Sequence, residues 1–539
     1  MIGVGTSALI AGRVRKLSDT RWWAQYSGVV QREQLRSLLR RAATTEIGRE
    51  HGFAKLAQLP AHEIAKGYAA GVPSGDYEVF RARLARMREN AERDVLWPGV
   101  VYDWAETSGT TGGNGQKYIP VSGEMMKSNW KAGLDIFAHA KRFGASIPDL
   151  YGGRLLFLGG STNLHTNQHG IRTGDLSGIV TRLMRWPLTE VVSPDAKVAL
   201  MNDWPSKIEA MARQTMGQDV RFISGMASWS LVLFEKIVQL ARQQGREVRC
   251  LRDVWPNLRL FVHGGVYYPP FDPRVREAWS GDPTVDIPMR LEVYPASEGF
   301  IAMQDTPGDP GLRLCSDHGI FFEFVPLEEI GRADARAFAC DEVERGQRYV
   351  VVMTTCAGLW RYIIGDVVTF DTIGPDGPPR LRIVGRHRAF INAFGENLIV
   401  EDIERATVEA ARRTGAHVGE FTAAPVYPGP GVKQGVELLV EWGGAGAGYS
   451  ASGGGTPELL GTFAAEFDRA LRNRSVDYNI KRTGDLGMGP AVVSTVPIGT
   501  FHRWMASRGK LGGQHKAPRC ANHRELVEQI AASAAGARG

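Results

Sequence analysis

The sequence predicts an α/β fold: a large N-terminal domain of sheets flanked by helices, followed by a smaller α+β C-terminal domain. Short apolar runs such as residues 154–158 and 258–262 lead into glycine pairs, which is typical of buried strands followed by turns. Between them lie segments with apolar residues at helical spacing, as in the helix that carries Phe234, Ile237, Val238 and Ala241. Strands that alternate with helices favour an α/β domain with ligand-binding loops at the strand ends.

The segments on either side of these strands have different patterns. Residues 20–95 are predicted to be mostly helical, with Leu35, Leu38 and Leu39 on one amphipathic face. The turn at residues 72–75 precedes another, charged helix. Later in the chain we expect further strands at residues 289–294, 320–325, 349–354, 367–370 and 381–384.

Beyond Gly385-Arg386 the pattern restarts, which indicates a domain boundary near residues 386–389. A strand-like run is followed by a helix from residue 400 to about 412, a strand at 436–442 and a helix at 457–473. The glycine-rich segment 443–455 is predicted to be a flexible surface loop. We therefore expect a large N-terminal domain over residues 1–386 and a smaller C-terminal domain over residues 387–539.

The bulk composition excludes several classes of protein. At 539 residues the chain is too long for one compact core, and 43% hydrophobic with 23% charged residues is typical of a soluble globular protein. The formal net charge of +6 is small for this length. Acidic and apolar residues interrupt the main basic cluster, so we interpret it as a solvated helix face and expect no nucleic-acid partner. Its members are Arg81, Arg83, Arg86, Arg88 and Arg93.

The cysteines and the amino-terminal sequence indicate the cellular compartment of the protein. The five cysteines are scattered without CxxC spacing, which argues against a zinc site or a disulfide framework and favours a reducing compartment. The apolar run at residues 4–11 precedes the nearby basic residues, whereas a signal peptide begins with its positive charge. Nothing approaches the ~20 apolar residues of a membrane span. We expect a cytoplasmic enzyme with no membrane partner.

The segment from Thr107 to Lys117 concentrates glycines and hydroxyl side chains ahead of a lysine. Glycines let the backbone approach an anion closely, and N–H and hydroxyl groups then donate hydrogen bonds without added bulk. It is not a Walker A loop, because no glycine stands four residues ahead of a Gly-Lys-Ser/Thr triplet. A surface turn has a similar composition, so a nucleotide interpretation depends on further clusters.

Two such clusters lie in the N-terminal domain. Where a predicted strand ends, the ring of Tyr294 can cover a base and the hydroxyl of Ser297 can reach a phosphate. The carboxylate of Glu298 can hold Mg²⁺ bound to that phosphate. Asp366, beside Gly365 and just before a predicted strand, can accept both ribose hydroxyls at a sheet edge. Ordinary turns explain either cluster alone.

Two basic residues complete the set. Arg386 follows a predicted strand, where its guanidinium can lie near ribose or phosphate. Lys516 stands between a Gly-Gly turn and Pro518, on a short ordered loop and not on a helix face. Taken singly, each is most simply a surface cation.

In this order the clusters resemble the acyl-adenylate-forming (ANL) superfamily. Within it, the chain is most similar to the auxin-responsive Gretchen Hagen Three family of acyl-acid amido synthetases. The similarity covers residues 107–120, the Trp255-Pro256-Asn257 triplet, residues 294–298, residues 359–366 and the closing segment 514–520. It extends over nearly the whole chain.

The resemblance implies an ATP-dependent ligase with two half-reactions. An organic acid attacks the α-phosphate of ATP to give an acyl-adenylate and pyrophosphate, and the amine of an amino acid then displaces AMP. The implied roles are phosphate binding by Ser108, Thr110, Thr111, Gly112 and Ser297, adenine contact by Tyr294, Mg²⁺ binding by Glu298, ribose binding by Asp366 with Arg386 nearby, and stabilisation of the first transition state by Lys516. The resemblance also makes residues 1–386 the ATP- and acyl-substrate-binding domain and residues 387–539 a mobile domain. Because Lys516 lies on the mobile domain, that domain must close for adenylation, with a hinge near Arg388.

Two alternatives stay open. A sister enzyme would pass the same acyl group to coenzyme A or another thiol, and a non-catalytic protein would keep the fold as a sensor of a small acid. The presence of the loop, Glu298, Asp366 and Lys516 together favours an enzyme. Product analysis with amino acids and with coenzyme A separates the two enzymes.

Overall fold

In the computed structural model, the chain divides into two compact units. The first holds most residues up to Arg382, and the second holds Gly365–Val367 and the residues from Ile383 onward. We keep the domain boundary after residue 386 as a prediction. The structure describes residues 2–107, 117–159, 165–183, 188–201, 204–265, 268–269, 271–332, 334–387, 390–391, 398–427, 432–445, 457–475, 478–479, 482, 488–508, 517–521 and 523–535.

Helices dominate the start of the first unit, as the apolar spacing predicts. Several begin at side chains that accept a backbone N–H, such as Asp19, Asp76 and Ser122. The first six helices are α1 (Ile2–Ser18), α2 (Thr20–Ala42), α3 (Glu46–Glu50), α4 (Phe53–Leu56), α5 (Ile64–Gly71) and α6 (Tyr77–Glu89). The later ones are α7 (Gly123–Arg142), α8 (Ile147–Leu150), α9 (Leu176–Leu183), α10 (Ala196–Ala199), α11 (Trp204–Thr215), α12 (Ala227–Gln243) and α13 (Asp272–Ser280), with 3₁₀ turns at Leu188–Glu190 and Leu251–Asp253.

Two sheets organise the same part of the chain. The smaller joins β1 (Asp103–Thr107), β2 (Lys117–Val121), β4 (His165–Thr166) and β5 (Arg172–Gly174) in the order β2-β1-β5-β4. The larger contains β3 (Arg154–Leu158), β6 (Val192–Ser193), β7 (Val220–Gly225), β8 (Leu260–Gly264), β9 (Arg290–Ala296), β10 (Gly299–Gln304), β11 (Leu312–Leu314), β12 (Ile320–Pro326), β13 (Tyr349–Thr355), β14 (Tyr362–Thr372) and β15 (Arg380–Arg386). Its order is β12-β13-β14-β15-β11-β10-β9-β8-β7-β3-β6.

The larger sheet has a parallel half and an antiparallel half. Strands β6, β3, β7, β8 and β9 run parallel, whereas β9 pairs antiparallel with β10, and β12 with β13. Alternation along the parallel strands covers both faces: Phe222 and Val262 join a core with residues of α1 and α7, and Ile223 and Phe261 join a core with α11–α13. Parallel strands buried on both faces confirm the predicted α/β class.

The second unit is an α+β arrangement. Strand β18 (Ala416–Val426) pairs antiparallel with β19 (Gly435–Ala445), which pairs parallel with β20 (Val492–Val496), and a short hairpin joins β16 (Phe390–Ile391) and β17 (Leu398–Ile399). Its helices are α14 (Val400–Thr414), α15 (Pro457–Arg474), α16 (Thr500–Ser507) and α17 (Glu525–Ala535). Ile403, Ala406 and Ala410 are buried at helical spacing along α14, which ends at Gly415 with φ of 68°.

Candidate active site

The hairpin between β9 and β10 carries three of the predicted site residues. Tyr294 lies near the end of β9, and Ser297 and Glu298 form the two-residue turn, because Ala296 pairs with Gly299 across the hairpin. The sequence therefore predicted the strand end correctly. The structure brings these three side chains onto one short segment of the first unit.

Gly299 fixes the shape of that hairpin. Its φ is +145°, and a Cβ built on it would lie 2.3 Å from Cδ1 of Ile320. An L-residue rarely adopts this backbone conformation and would also collide with the side chain of Ile320. Glycine is therefore required immediately after Glu298.

Burial distinguishes the residues of the hairpin. Glu298 is 8% exposed and Tyr294 is 5% exposed, with Tyr294 packed in the main core cluster of the first unit. Ser297 is half-buried. A nearly buried carboxylate supplies the oxygen ligand that Mg²⁺ takes together with substrate phosphates. The donor set thus fits the predicted cation, and the nucleotide roles of the three residues stay predictions.

The hydroxyl- and glycine-rich loop is flanked by the antiparallel strands β1 and β2. Glu106 pairs with Tyr118 and Thr107 with Lys117 in register, so the loop leaves and returns at neighbouring positions. The ammonium of Lys117 lies 5.8 Å from the centroid of the Tyr77 ring. The predicted phosphate-binding residues Ser108, Thr110, Thr111 and Gly112 lie outside the described residues.

Asp366 occupies a different position from the one predicted. We expected it before a strand at a sheet edge, but β14 begins at Tyr362 and lies between β13 and β15, so Asp366 is inside an interior strand. Gly365 has φ of +93°, and its carbonyl oxygen accepts a hydrogen bond from the backbone N–H of His387 at 2.9 Å. Asp366 is 7% exposed. Its role at ribose stays a prediction.

Arg386 and Lys516 were predicted to supply positive charge. The backbone of Arg386 ends β15, but its side chain lies outside the described part of the structure, as does all of Lys516. The segment immediately after Lys516 is described and is anchored to β18. The N–H of Ala423 donates to the carbonyl of Arg519 at 2.9 Å, and the N–H of Ala521 donates to the carbonyl of Ala423 at 3.0 Å.

Arg519 strengthens this anchor through its side chain. Its guanidinium donates to Oε2 of Glu420 at 2.5 Å and lies 3.5 Å from Oε1 of Glu404. It also lies 4.5 Å from the centroid of the Phe421 ring. In the sequence, Arg519 stands out only as part of the closing motif at residues 514–520. Its acidic partners stand about a hundred residues away, so no local pattern indicated the contacts.

Arg361 is a second residue whose role the sequence did not show. It has φ of +48° and is 6% exposed. Its guanidinium donates to Glu323 and to the carbonyl oxygens of Ala69 and Val72, at 2.8 and 2.7 Å for the two carbonyls. Arg361 therefore fastens the loop that follows α5 to strands β12 and β14.

One acidic cluster in the first unit has the spacing of a metal site. Asp135, Asp317 and His318 each offer a ligand atom, all within 4.8 Å of one another. However, Arg13 donates to both carboxylates at 2.7 Å, and Nζ of Lys131 lies 3.0 Å from Asp317. Burial alone would raise the pKa of Asp135, but hydrogen bonds from Arg13 and His318 outweigh it and lower the pKa to about 2. We interpret the cluster as an ionic tie between α1 and α7.

Comparison with known proteins identifies the family. The models of the GH3 family N-terminal, central and C-terminal domains match residues 22–198, 314–386 and 401–525, in that order. A protein named probable indole-3-acetic acid-amido synthetase GH3.9, from Oryza sativa subsp. japonica, is 34% identical over 327 residues, which cover 57% of this chain and 70% of that protein. The chain belongs to the GH3 family. The family prediction from the sequence is therefore confirmed.

Two further comparisons extend this result. Indole-3-acetic acid-amido synthetase GH3.8 from Oryza sativa subsp. indica is 30% identical over 316 residues, or 55% of this chain, and the match spans about half (49%) of the relative's length. The solved structure of a GH3.15 acyl acid amido synthetase has a TM-score of 0.74 at 17% identity, covering 96% of this chain and 95% of that chain. The structural match shows that the GH3 fold extends over nearly the whole chain.

A search of the described helices found none with both the length and the apolar character needed to cross a bilayer.

Proposed function

We propose that this GH3 family member is an ATP-dependent acyl acid amido synthetase, which joins a carboxylic acid to the amine of an amino acid. The observation that carries the proposal is the ordered match of three GH3 domain models between residues 22 and 525. The named relatives support it, since they are amido synthetases. Indole-3-acetic acid, which appears in their names, is the first acid to test.

The proposed chemistry has two balanced steps. A carboxylate oxygen attacks the α-phosphorus of ATP, and the P–O bond between the α-phosphorus and pyrophosphate breaks. The products are an acyl-adenylate and free pyrophosphate. A neutral amine nitrogen then attacks the acyl carbon, and the C–O bond to AMP breaks. The nitrogen, which now carries a positive charge, loses a proton to give the amide. A free carboxylate is a poor electrophile, so adenylation supplies the leaving group that the second step needs.

The loop between β1 and β2 and the β9–β10 hairpin are proposed to hold the nucleotide. Ser108, Thr110, Thr111 and Gly112 bind phosphate, Tyr294 lies on the adenine side, and Ser297 reaches a phosphate. Glu298 holds Mg²⁺, which when bound neutralises charge that develops on the phosphates. The near-complete burial of Glu298 supports this role, because fixed charge acts more strongly where water is excluded.

Three residues later in the chain are proposed to take part in the reaction. Asp366 binds ribose, Arg386 lies nearby, and Lys516 stabilises the transition state of adenylation. The anchor of residues 519–521 to β18 supports the assignment of Lys516, because a lysine three residues from a fixed point loses less entropy on reaching its target. The C-terminal domain from residue 387 is proposed to close for adenylation, with a hinge near Arg388.

The test is pyrophosphate exchange into ATP across a panel of aryl, indole and aliphatic acids, with Lys516→Ala compared against Lys433→Ala. Lys433 is an exposed lysine of the same unit and serves as the matched control. We expect the exchange rate to fall at least about a hundredfold in Lys516→Ala and to remain near the wild-type rate in Lys433→Ala. Unchanged exchange in Lys516→Ala would remove the catalytic assignment.

A second assay identifies the acceptor. The acid that gives the fastest exchange is incubated with ATP and each amino acid, and separately with coenzyme A. Amide as the only acylated product supports the proposal. A thioester as the main product would instead assign the chain to the thiol-transferring alternative.

A further inference from the structure

A cavity of about 500 Å³ lies beside β1 and β2 in the first unit. Its lining includes Arg88, Glu106, Tyr118, His165 and Thr173. This volume falls within the range of small-molecule sites. We call it the hairpin cavity, because Glu106 and Tyr118 are cross-strand partners in the β1–β2 hairpin.

Hydrogen bonds hold one wall of the hairpin cavity in place. The side-chain amide of Asn167 donates to the carbonyl of Arg88 at 2.9 Å, and its Oδ1 accepts from the backbone N–H groups of His169 and Ile171 at 2.9 and 3.0 Å. The residues after β4 are thereby fastened to the end of α6. The wall is formed before any ligand arrives.

Arg88 and Tyr118 form a further part of the lining. The guanidinium carbon of Arg88 lies 3.6 Å from the centroid of the Tyr118 ring, close enough for a cation–π contact. The hydroxyl of Tyr77 accepts a hydrogen bond from the N–H of Tyr118 at 2.9 Å. Arg88 also donates to Glu89 at 2.9 Å, which leaves further guanidinium N–H groups for a ligand.

Both signs of charge face this cavity. Arg88 and His165 lie on its lining together with Glu89 and Glu106. Burial raises the pKa of Glu106, while His165 and Arg88 oppose that rise. Among the described residues, none donates a hydrogen bond to the Glu106 carboxylate. A partly buried carboxylate that accepts no such hydrogen bond, with an arginine on the same cavity lining, is complementary to a ligand that carries an ammonium and a carboxylate on neighbouring atoms.

The position of the cavity relates it to the proposed reaction. Glu106 stands two residues ahead of Ser108, and Lys117, the residue after the loop, is the neighbour of Tyr118. The hairpin cavity therefore lies at the base of the loop assigned to phosphate binding. A ligand held there would lie beside the strands that flank the loop proposed to bind the nucleotide.

We propose that the hairpin cavity binds the amino acid acceptor, with its ammonium towards Glu106 and its α-carboxylate towards Arg88. This inference rests on the proposed amido synthetase function. Glu106 accepts one proton from the ammonium, which frees the nitrogen lone pair. The nitrogen then forms the C–N bond to the acyl carbon as the C–O bond to AMP breaks. The nitrogen, now positively charged, loses a second proton to water to give the amide, and the first proton passes from Glu106 to water.

The test separates the two half-reactions in the full-length protein. Glu106→Gln and Arg88→Gln are compared with the control variants Glu78→Gln and Arg81→Gln. Glu78 and Arg81 form an exposed ion pair on α6, the helix that also carries Arg88, and neither residue lines the cavity. The best acceptor is first chosen from the twenty standard amino acids. Pyrophosphate exchange is measured without amino acid, and the rate of amide synthesis is measured as a function of the concentration of the chosen amino acid.

We expect the KM for the amino acid to rise at least about tenfold in both cavity variants, with a much smaller effect on exchange. The control variants should resemble wild type in both assays. In Arg88→Gln, the preference for the amino acid over its α-carboxamide should fall at least about tenfold, because the carboxamide lacks the charge that Arg88 recognises. A purely structural defect would not change that preference.

Three results would overturn the inference. One is a KM for the amino acid within about twofold of wild type in both folded variants. Another is a rise in the KM for the organic acid during exchange, which would make the cavity an acyl site. The third is an unchanged preference in Arg88→Gln. Thermal unfolding of each variant verifies folding. If the wild type showed no pyrophosphate exchange, the proposed function itself would be refuted. That outcome is distinguishable from the three results above, which concern only the acceptor site.

Discussion

Arg361 and Glu323 form an ion pair with almost no access to water. The Nε atom of Arg361 lies 3.0 Å from both carboxylate oxygens of Glu323, and the two side chains are 7% and 4% exposed. Burial raises the pKa of Glu323, and Arg361 opposes that rise. The pair lies within the main core of the first unit, next to β12 and β14.

Replacing Arg361 should destabilise the protein strongly. Arg361→Met leaves Glu323 buried without its cation and removes the donors to Ala69 and Val72. The expected loss in the free energy of unfolding is about 3–5 kcal/mol, measured by urea titration. Methionine meets the same backbone strain at φ of +48° as arginine does, so the difference reports the charge and its hydrogen bonds.

Arg332→Met is the matched control for this pair. Arg332 pairs with Asp334 on the surface, where the side chains are 58% and 74% exposed. An exposed pair of this kind contributes about 0–1 kcal/mol. Equal losses for the two variants would show that burial does not determine the contribution of Arg361.

Gly299→Ala should distort the hairpin that carries Glu298. The added Cβ would meet Ile320 at 2.3 Å in a backbone conformation that alanine rarely adopts. We expect a loss of about 2 kcal/mol or more in the free energy of unfolding, together with slower pyrophosphate exchange.

Gly308→Ala separates strain from collision. Gly308 also has a positive φ, +74°, but a Cβ there would meet nothing within 4 Å. Its replacement should cost about 1 kcal/mol and leave exchange near wild type. If the two variants lost the same activity, the contact with Ile320 would not explain the requirement for glycine at 299.

Arg519→Met should slow adenylation with little change in the KM for ATP. The substitution removes the ion pairs to Glu420 and Glu404 that supplement the backbone anchor after Lys516. A looser anchor misplaces the lysine, and small misplacements of a catalytic group cost up to about a hundredfold in rate. The readout is the maximal rate of pyrophosphate exchange at saturating ATP.

Two further variants make this prediction specific. Arg519→Lys keeps the charge but not the planar fork, so an intermediate rate is expected. Arg508→Met, on a residue that donates to Gln529 at the surface, should leave the rate unchanged. A wild-type rate in Arg519→Met would show that the anchor does not require the side chain.

His263 should make the folded state sensitive to mild acid. Burial lowers the pKa of His263 to about 3, with Arg290 adding to the effect. The unfolded chain binds a proton near the ordinary value of about 6.5, so the unfolded state gains protons first as the pH falls. The stability that His263 contributes is therefore present above about pH 6.5 and is lost towards about pH 3.

The measurement is the pH dependence of the free energy of unfolding in His263→Phe. Between about pH 7 and about pH 5 the wild type should lose about 2 kcal/mol more than the variant. The ring of Tyr268, stacked at 3.9 Å on His263, provides an aromatic neighbour for phenylalanine. Parallel curves for the two proteins would show that His263 is not the source of the dependence.

The sequence predicted well those features that depend on neighbouring residues. Apolar runs and glycine pairs located the strands that end at residues 158, 264 and 296, and helical spacing located α12, α14 and α15. Local chemistry was enough to predict that Tyr294 and Glu298 would lie at a strand end. The family followed from motifs in a fixed order.

Features that depend on distant contacts were not predictable in this way. Gly365-Asp366 has the composition of a turn, yet β14 continues through it because the carbonyl of Gly365 bonds to His387, twenty-two residues later. The hairpin cavity draws its lining residues from four separate segments of the chain. The burial of Arg361 depends on Glu323, thirty-eight residues earlier.

The register of β1 and β2 has a consequence for how this family can diverge. Thr107 and Lys117 face each other on adjacent strands, so the nine intervening residues begin and end at almost the same place. Residues inserted or deleted between them alter only the outward reach of the loop, because its two attachment points remain paired. Relatives can thus vary the length of this one segment without remodelling the sheet beneath it.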